Sequence, residues 1–130
     1  ALHGTTGPFI QYTHARIRSL LGKARAMDLR VDPSTINSVQ FLEPSEQEVI
    51  QILASFETRI ADACREYSPA ILANFVYELA RTYNHFYQNV PIFAEADEAK
   101  RQLRIALSQA VASAIKKGMH LLGIAVPEKM

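Results

Sequence analysis

The sequence predicts an all-α domain, an antiparallel helix bundle of about four main helices with a long linker after the first. Three observations predict it. Apolar residues recur at helical spacing through most of the chain. Helix-starting residues stand at regular intervals, with prolines and a glycine marking the ends. Strand signals are weak throughout, and no repeat or low-complexity tract interrupts the pattern.

The first helix starts at Gly7-Pro8, where Pro8 suits the first helical position, and runs to about Ala26. At roughly 100° per residue, Ile10, Thr13, Ile17, Leu20, Leu21 and Ala24 share a core-facing side. Tyr12, Arg16, Ser19 and Lys23 make a second stripe well away from it. The stretch Met27–Pro44 has two prolines and no clear period, so it reads as a linker. A second helix is expected to open with a capping box at Ser45 and Glu48 and to continue to about Tyr67.

Ser68-Pro69 is a cap followed by a proline in the first turn, so the third helix starts there and runs to about Gln88. Leu72, Phe75, Val76, Leu79, Tyr83 and Phe86 form its core side, with Tyr87 on the same flank. Tyr77, Arg81, Asn84 and Gln88 form an opposite line. Asn89–Ala94, with Pro91, is a break. The fourth helix begins near Glu95–Asp97, acids favoured at a helix N-terminus, and continues to about Leu122, with Gly123 as its stop. It is apolar on most sides. Leu103, Leu107, Ala110, Val111, Ala114, Leu121 and Leu122 face one way and Ile105, Ala112 and Met119 another. That places it centrally.

Composition narrows the function classes. The chain has 130 residues, 48% hydrophobic and 21% charged, as expected of one globular domain with its own core. A single cysteine, Cys64, rules out an intrachain disulfide and fits a reducing, cytoplasmic setting. No apolar run approaches the roughly 20 residues of a membrane span. The chain begins at Ala1 with no initiator Met, which reads as a fragment of a larger protein. Net charge is +1 but uneven. Residues 1–30 hold Arg16, Arg18, Lys23, Arg25 and Arg30 against Asp28, whereas residues 31–66 hold seven acids and two bases. A polyanion would favour the first helix and the C-terminal part over the second helix.

No catalytic set is legible. His3, His14, His85 and His120 lack partners at metal-ligand spacing. Cys64 is flanked by Asp62 and Glu66, which do not activate a thiol. The glycines of residues 3–8 form no phosphate loop. The off-core stripes carry more. Splayed RNA bases stack on aromatic rings and guanidinium planes, with cations alongside for phosphates. Tyr12 with Arg16 and Lys23, and Tyr77 with Arg81 and Asn84, supply those groups in lines. The tyrosines of both stripes also suit plain packing at the rim of a bundle.

The segment Gly4-Thr-Thr-Gly-Pro-Phe-Ile-Gln-Tyr-Thr-His-Ala-Arg-Ile-Arg-Ser-Leu20 resembles the opening of the C-terminal helical domain of arginyl-tRNA synthetases. Leu72-Ala-Asn-Phe-Val-Tyr-Glu-Leu-Ala80, then Tyr83-Asn-His-Phe-Tyr87 and Pro91, resembles that family's central helix. Gly118-Met-His-Leu-Leu-Gly-Ile124 and Pro127-Glu-Lys-Met130 resemble its terminus. The three matches stand in order and cover the chain apart from the linker and second helix. Two departures are visible: Thr5 where the family often has Asn or Asp, and Lys129 where arginine is common.

The resemblance implies a single anticodon-binding domain over residues 1–130, of the bundle type shared by class I synthetases, with the cysteinyl enzymes as a more distant alternative. The parent enzyme would be an arginine–tRNA ligase, using ATP with Mg. Its nucleotide-binding motifs are absent from this chain, so the domain itself is read as non-catalytic and cofactor-free. The implied partners are the anticodon loop of the tRNA for arginine and the chain's own catalytic domain, in a monomer off the membrane. Tyr12, Tyr77 and Met130 are expected to enclose a splayed base. Arg16, Lys23 and Arg81 are expected to serve phosphates or base edges. Asn84 either reads a base or braces helix packing. The competing reading is a helical protein-interaction module whose surface is the acidic second helix and the linker.

Overall fold

The computed structural model describes residues 6–125, with no strand among them. Their elements are α1 (Thr6–Ala26), α2 (Pro33–Ile36), α3 (Pro44–Ala54), α4 (Phe56–Arg65), α5 (Pro69–Asn89) and α6 (Glu98–Ala125). No helix among the described residues is long and apolar enough to cross a membrane.

Helix α6 is the axis of the bundle and packs on α1, α2, α3 and α5. It runs antiparallel to α5, since Tyr83 meets Ser108 near one end and Val76 meets Gly118 near the other. α1 and α5 lie side by side and point the same way: Phe9 stacks near Tyr77, and Arg16 near Tyr87. The core expected on α1 is buried at Ile10, Thr13, Ile17, Leu20 and Ala24. Leu72, Phe75, Val76, Leu79, Tyr83 and Phe86 of α5 complete it. On α6, Ala110 is exposed rather than in the core. The same helix instead buries Gln102, Arg104 and Ser108.

Three local expectations are corrected. The capping box at the start of α3 involves Glu43 and Glu46, not Ser45 and Glu48. Glu46 accepts the Glu43 N–H at 2.7 Å. Pro44, which has no N–H to lose, takes the first helical position, and the helix begins earlier. The single helix expected from Ser45 to Tyr67 is broken at Ser55. The Ser55 hydroxyl donates to Ile52 O at 2.8 Å, and its N–H is shared between Gln51 O and Ile52 O at 3.2 Å. Such back-bonding bends a helix. The linker contains α2, capped by Asp32 accepting from Ser34 N–H at 3.0 Å. The Asp32 N–H donates to Gln102 at 2.8 Å and ties the linker to α6.

Asp28 and Tyr67 end α1 and α4 in the left-handed region, at φ 57° and 51°. The N–H of the next residue reaches back to Ala24 O at 2.9 Å and to Ala63 O at 3.0 Å. These closures satisfy otherwise orphaned carbonyls without a glycine. A buried polar network centres on Arg104. Arg104, 2% exposed, donates from Nε to Glu46 Oε2 at 2.6 Å. Its Nη1 reaches Pro91 O and Glu95 Oε1, both at 2.8 Å. It thereby fixes the loop between α5 and α6.

Candidate nucleic-acid interface

The outer stripe of α1 faces a groove whose other wall is α5 and the loop after it. Tyr12 is 53% exposed. Arg16, one turn on, places its guanidinium 4.9 Å from the Tyr12 ring centre and 4.3 Å from that of Tyr87. It also donates to the Tyr12 hydroxyl. Lys23, two turns further, holds Nζ 4.7 Å from the centre of Phe93. Between Lys23, Tyr87 and Phe93 opens a cleft of about 360 Å³, with Ser19 and Pro91 on its walls. Arg104 sets the position of Pro91 from below, so a buried ion pair shapes the cleft.

The structure separates the expected site residues. Tyr12, Arg16 and Lys23 line one continuous face. Asn84 joins Arg16 but is buried, and so does not lie on an exposed line. Its Nδ2 donates to Thr13 Oγ1 at 2.7 Å and Ala80 O at 2.8 Å. Its Oδ1 accepts from Arg16 Nη1 at 2.7 Å. With both amide hydrogens used, Asn84 braces α1 against α5 and holds Arg16 in place. Tyr77 is half-buried and packs on Phe9, ring centres 5.6 Å apart. Arg81 forks onto Glu78 at 2.9 and 3.0 Å. That hydrogen bond, ahead of the charge of Arg81 itself, holds the Glu78 carboxyl below its ordinary pKa. Met130 lies outside the described residues. The described end of α6 approaches the start of α5, where Leu121 meets Pro69 and Leu72.

Two groove residues were not picked out from the sequence. Tyr87, expected on the core side, is 37% exposed and stacks on Arg16. Phe93 lies in the break after α5. The available signal was an aromatic just past Pro91 in a short loop, where binding groups concentrate.

Chemically, the groove offers flat rings and the Arg16 guanidinium for stacking, and its cleft is lined by Lys23 and by no carboxylate. Among the described residues no group of His, Cys, Asp or Glu is placed to hold a metal ion. Rings beside cations are the residue types that nucleic-acid recognition uses.

Comparisons with known proteins define the family. The family model of the DALR anticodon binding domain matches residues 10–130. The chain is 42% identical over 128 residues to the arginine–tRNA ligase of Porphyromonas gingivalis, covering 98% of the chain and 21% of the relative. It is 45% identical over 128 residues to that of Bacteroides thetaiotaomicron, with the same 98% and 21% coverage. It is 46% identical over 127 residues to that of Flavobacterium psychrophilum, covering 98% and 20%. The chain belongs to the DALR anticodon-binding domain family. It spans about a fifth of the length of these curated relatives.

Proposed function

We propose that this chain is the tRNA-reading domain of an arginine–tRNA ligase and that the α1–α5 groove receives the anticodon loop of the tRNA for arginine. One observation carries the placement: the Arg16 guanidinium lies between the exposed rings of Tyr12 and Tyr87. A splayed base would stack there, while Lys23 meets the adjoining phosphate. Tyr77 with Met130 would close the groove at its other end, and Arg81 would reach phosphates from its rim. Activation of arginine with ATP and Mg, and transfer to tRNA, would be the work of the rest of the polypeptide, in the cytoplasm.

The test is binding of an arginine tRNA anticodon stem-loop, followed by fluorescence anisotropy, against a variant changed at the middle anticodon base. Tighter binding of the authentic loop is expected, falling steeply with added salt. Equal, weak binding to both would sink the base-reading assignment. Tyr12→Ala and Tyr87→Ala are each expected to weaken binding by less than the roughly 1–3 kcal/mol of one stacked base, because each ring gives up its contact with Arg16 when a base arrives.

A second surface supports docking to a catalytic domain in the same polypeptide. Phe41 is 78% exposed and Leu42 39% exposed on the linker before α3. Adjacent apolar side chains left in water are a common mark of a protein-facing surface.

A further inference from the structure

A second groove runs between α1 and α6, away from the Tyr12 stripe. Two residues along a helix is a turn of roughly 200°, so His14 lies across α1 from Tyr12. Arg18 and Arg25 follow it on that side. Across the groove, α6 presents Gln109, Ser113 and Lys116. The enclosed space is about 220 Å³, and no carboxylate lines it.

Some cations of the bundle meet a carboxylate and others, Arg16, Lys23, Arg59 and Lys100 among them, meet none among the described residues; this groove gathers three of the second kind. Arg65, Arg81, Arg101, Arg104 and Lys117 each meet a carboxylate. Arg18, Arg25 and Lys116 have no ion-pair partner among the described residues. Three cations gathered in one groove repel one another, and nothing on its walls offsets that. The remaining polar groups are hydrogen-bond donors. Gln109 donates to Ser113 at 3.3 Å, which leaves the Ser113 hydroxyl hydrogen free to turn into the groove. His14 adds a ring N–H.

We propose that this groove binds a phosphate oxyanion. Arg18, Arg25 and Lys116 neutralise it, and His14, Gln109 and Ser113 donate hydrogen bonds to its oxygens. The natural source is either a phosphodiester of RNA or free inorganic phosphate. The site does not depend on the anticodon reading, because it lies on another face of α1. Its occupancy also couples to protons. Burial first, then the charges of Arg18 and Lys116, hold the His14 imidazole below its ordinary pKa. A bound phosphate offsets the cations on both elements that face the ring, so the His14 imidazole holds a proton more readily when the groove is occupied.

The experiment titrates inorganic phosphate into the 130-residue chain at constant ionic strength, following backbone amides and the His14 ring by NMR. Saturable shifts confined to His14, Arg18, Arg25, Gln109, Ser113 and Lys116 are expected, with the His14 titration midpoint moving up. Arg18→Gln and Lys116→Gln are each expected to weaken phosphate tenfold or more, with an unchanged melting temperature. Shifts that never saturate, or that spread evenly over Arg30, Arg65 and Lys100, would overturn the site. A second arm identifies the source, using the anticodon stem-loop and the variant R18Q/R25Q/K116Q. Weaker, sequence-independent binding with a salt slope smaller by about 2–3 assigns the site to an RNA phosphodiester. Unchanged stem-loop binding alongside saturable phosphate assigns it to the free anion.

Discussion

Arg104 of α6 and Glu46 of α3 form an ion pair 2.6 Å long, with their side chains 2% and 1% exposed. Removing one partner strands the other charge in the core. Arg104→Met is expected to lower the unfolding free energy by roughly 3–5 kcal/mol, measured by urea denaturation. Replacing both, as R104M/E46L, is expected to recover most of that loss, because two apolar side chains carry no unpaired charge. A double variant no more stable than Arg104→Met would refute this account of the pair.

Asn84 and Tyr12 separate stability from binding. Asn84→Ala is expected to cost about 1–3 kcal/mol of stability, since it removes a buried amide that satisfies Thr13, Ala80 and Arg16. Tyr12→Ala, at an exposed position, is expected to stay within about 0.5 kcal/mol of the parent. Thermal melts of the two variants give the comparison. A large loss for Tyr12→Ala would show that the ring is structural.

Gly118 is a packing glycine. A Cβ built there would lie 2.5 Å from Val76 Cγ2, closer than any ordinary contact. Gly118→Ala is therefore expected to destabilise by about 1–3 kcal/mol, although alanine favours a helix by about 1 kcal/mol. The same change in a Val76→Ala background should be neutral or stabilising, and calorimetry of the four proteins would show the reversal.

Tyr83 makes stability fall in alkali. Burial pushes its hydroxyl up to about 12 from 10.0, against a smaller downward pull from the hydrogen bond to Ser108. Ser108 spends its own hydrogen on Arg104 O at 2.9 Å, so Tyr83 is the donor between them. The contribution is complete below pH 10, where Tyr83 is protonated in both folded and unfolded chains. Between pH 10 and 12 only the unfolded chain ionises there, and stability drops by about 1.4 kcal/mol per pH unit. Tyr83→Phe is expected to be somewhat less stable at pH 8 and to decline less steeply above pH 10. Equal slopes in urea titrations would count against the assignment.

Periodicity located α1, α5 and α6 and ran α3 and α4 into one helix, because apolar spacing and helix-start residues are local signals. Ser55 escaped it. A serine in a helical run is unremarkable until its hydroxyl competes for a backbone carbonyl. Arg104 escaped for the opposite reason, and for Asn84 bracing stood only as one of two alternatives. Their partners lie 58 and 71 residues away, at Glu46 and Thr13, and no local pattern announces a buried polar contact across the bundle. In the groove, the Tyr12 stripe was readable from one helix alone. Tyr87 and Phe93 became part of it only when α5 and its following loop were laid beside α1.

The position of Arg16 between two rings has a kinetic side. In the free domain the guanidinium already occupies the stacked arrangement, so an entering base trades places with it rather than filling a vacancy. The net gain is a difference between two stackings, and is smaller than either. Such a groove would let go of a stacked base readily.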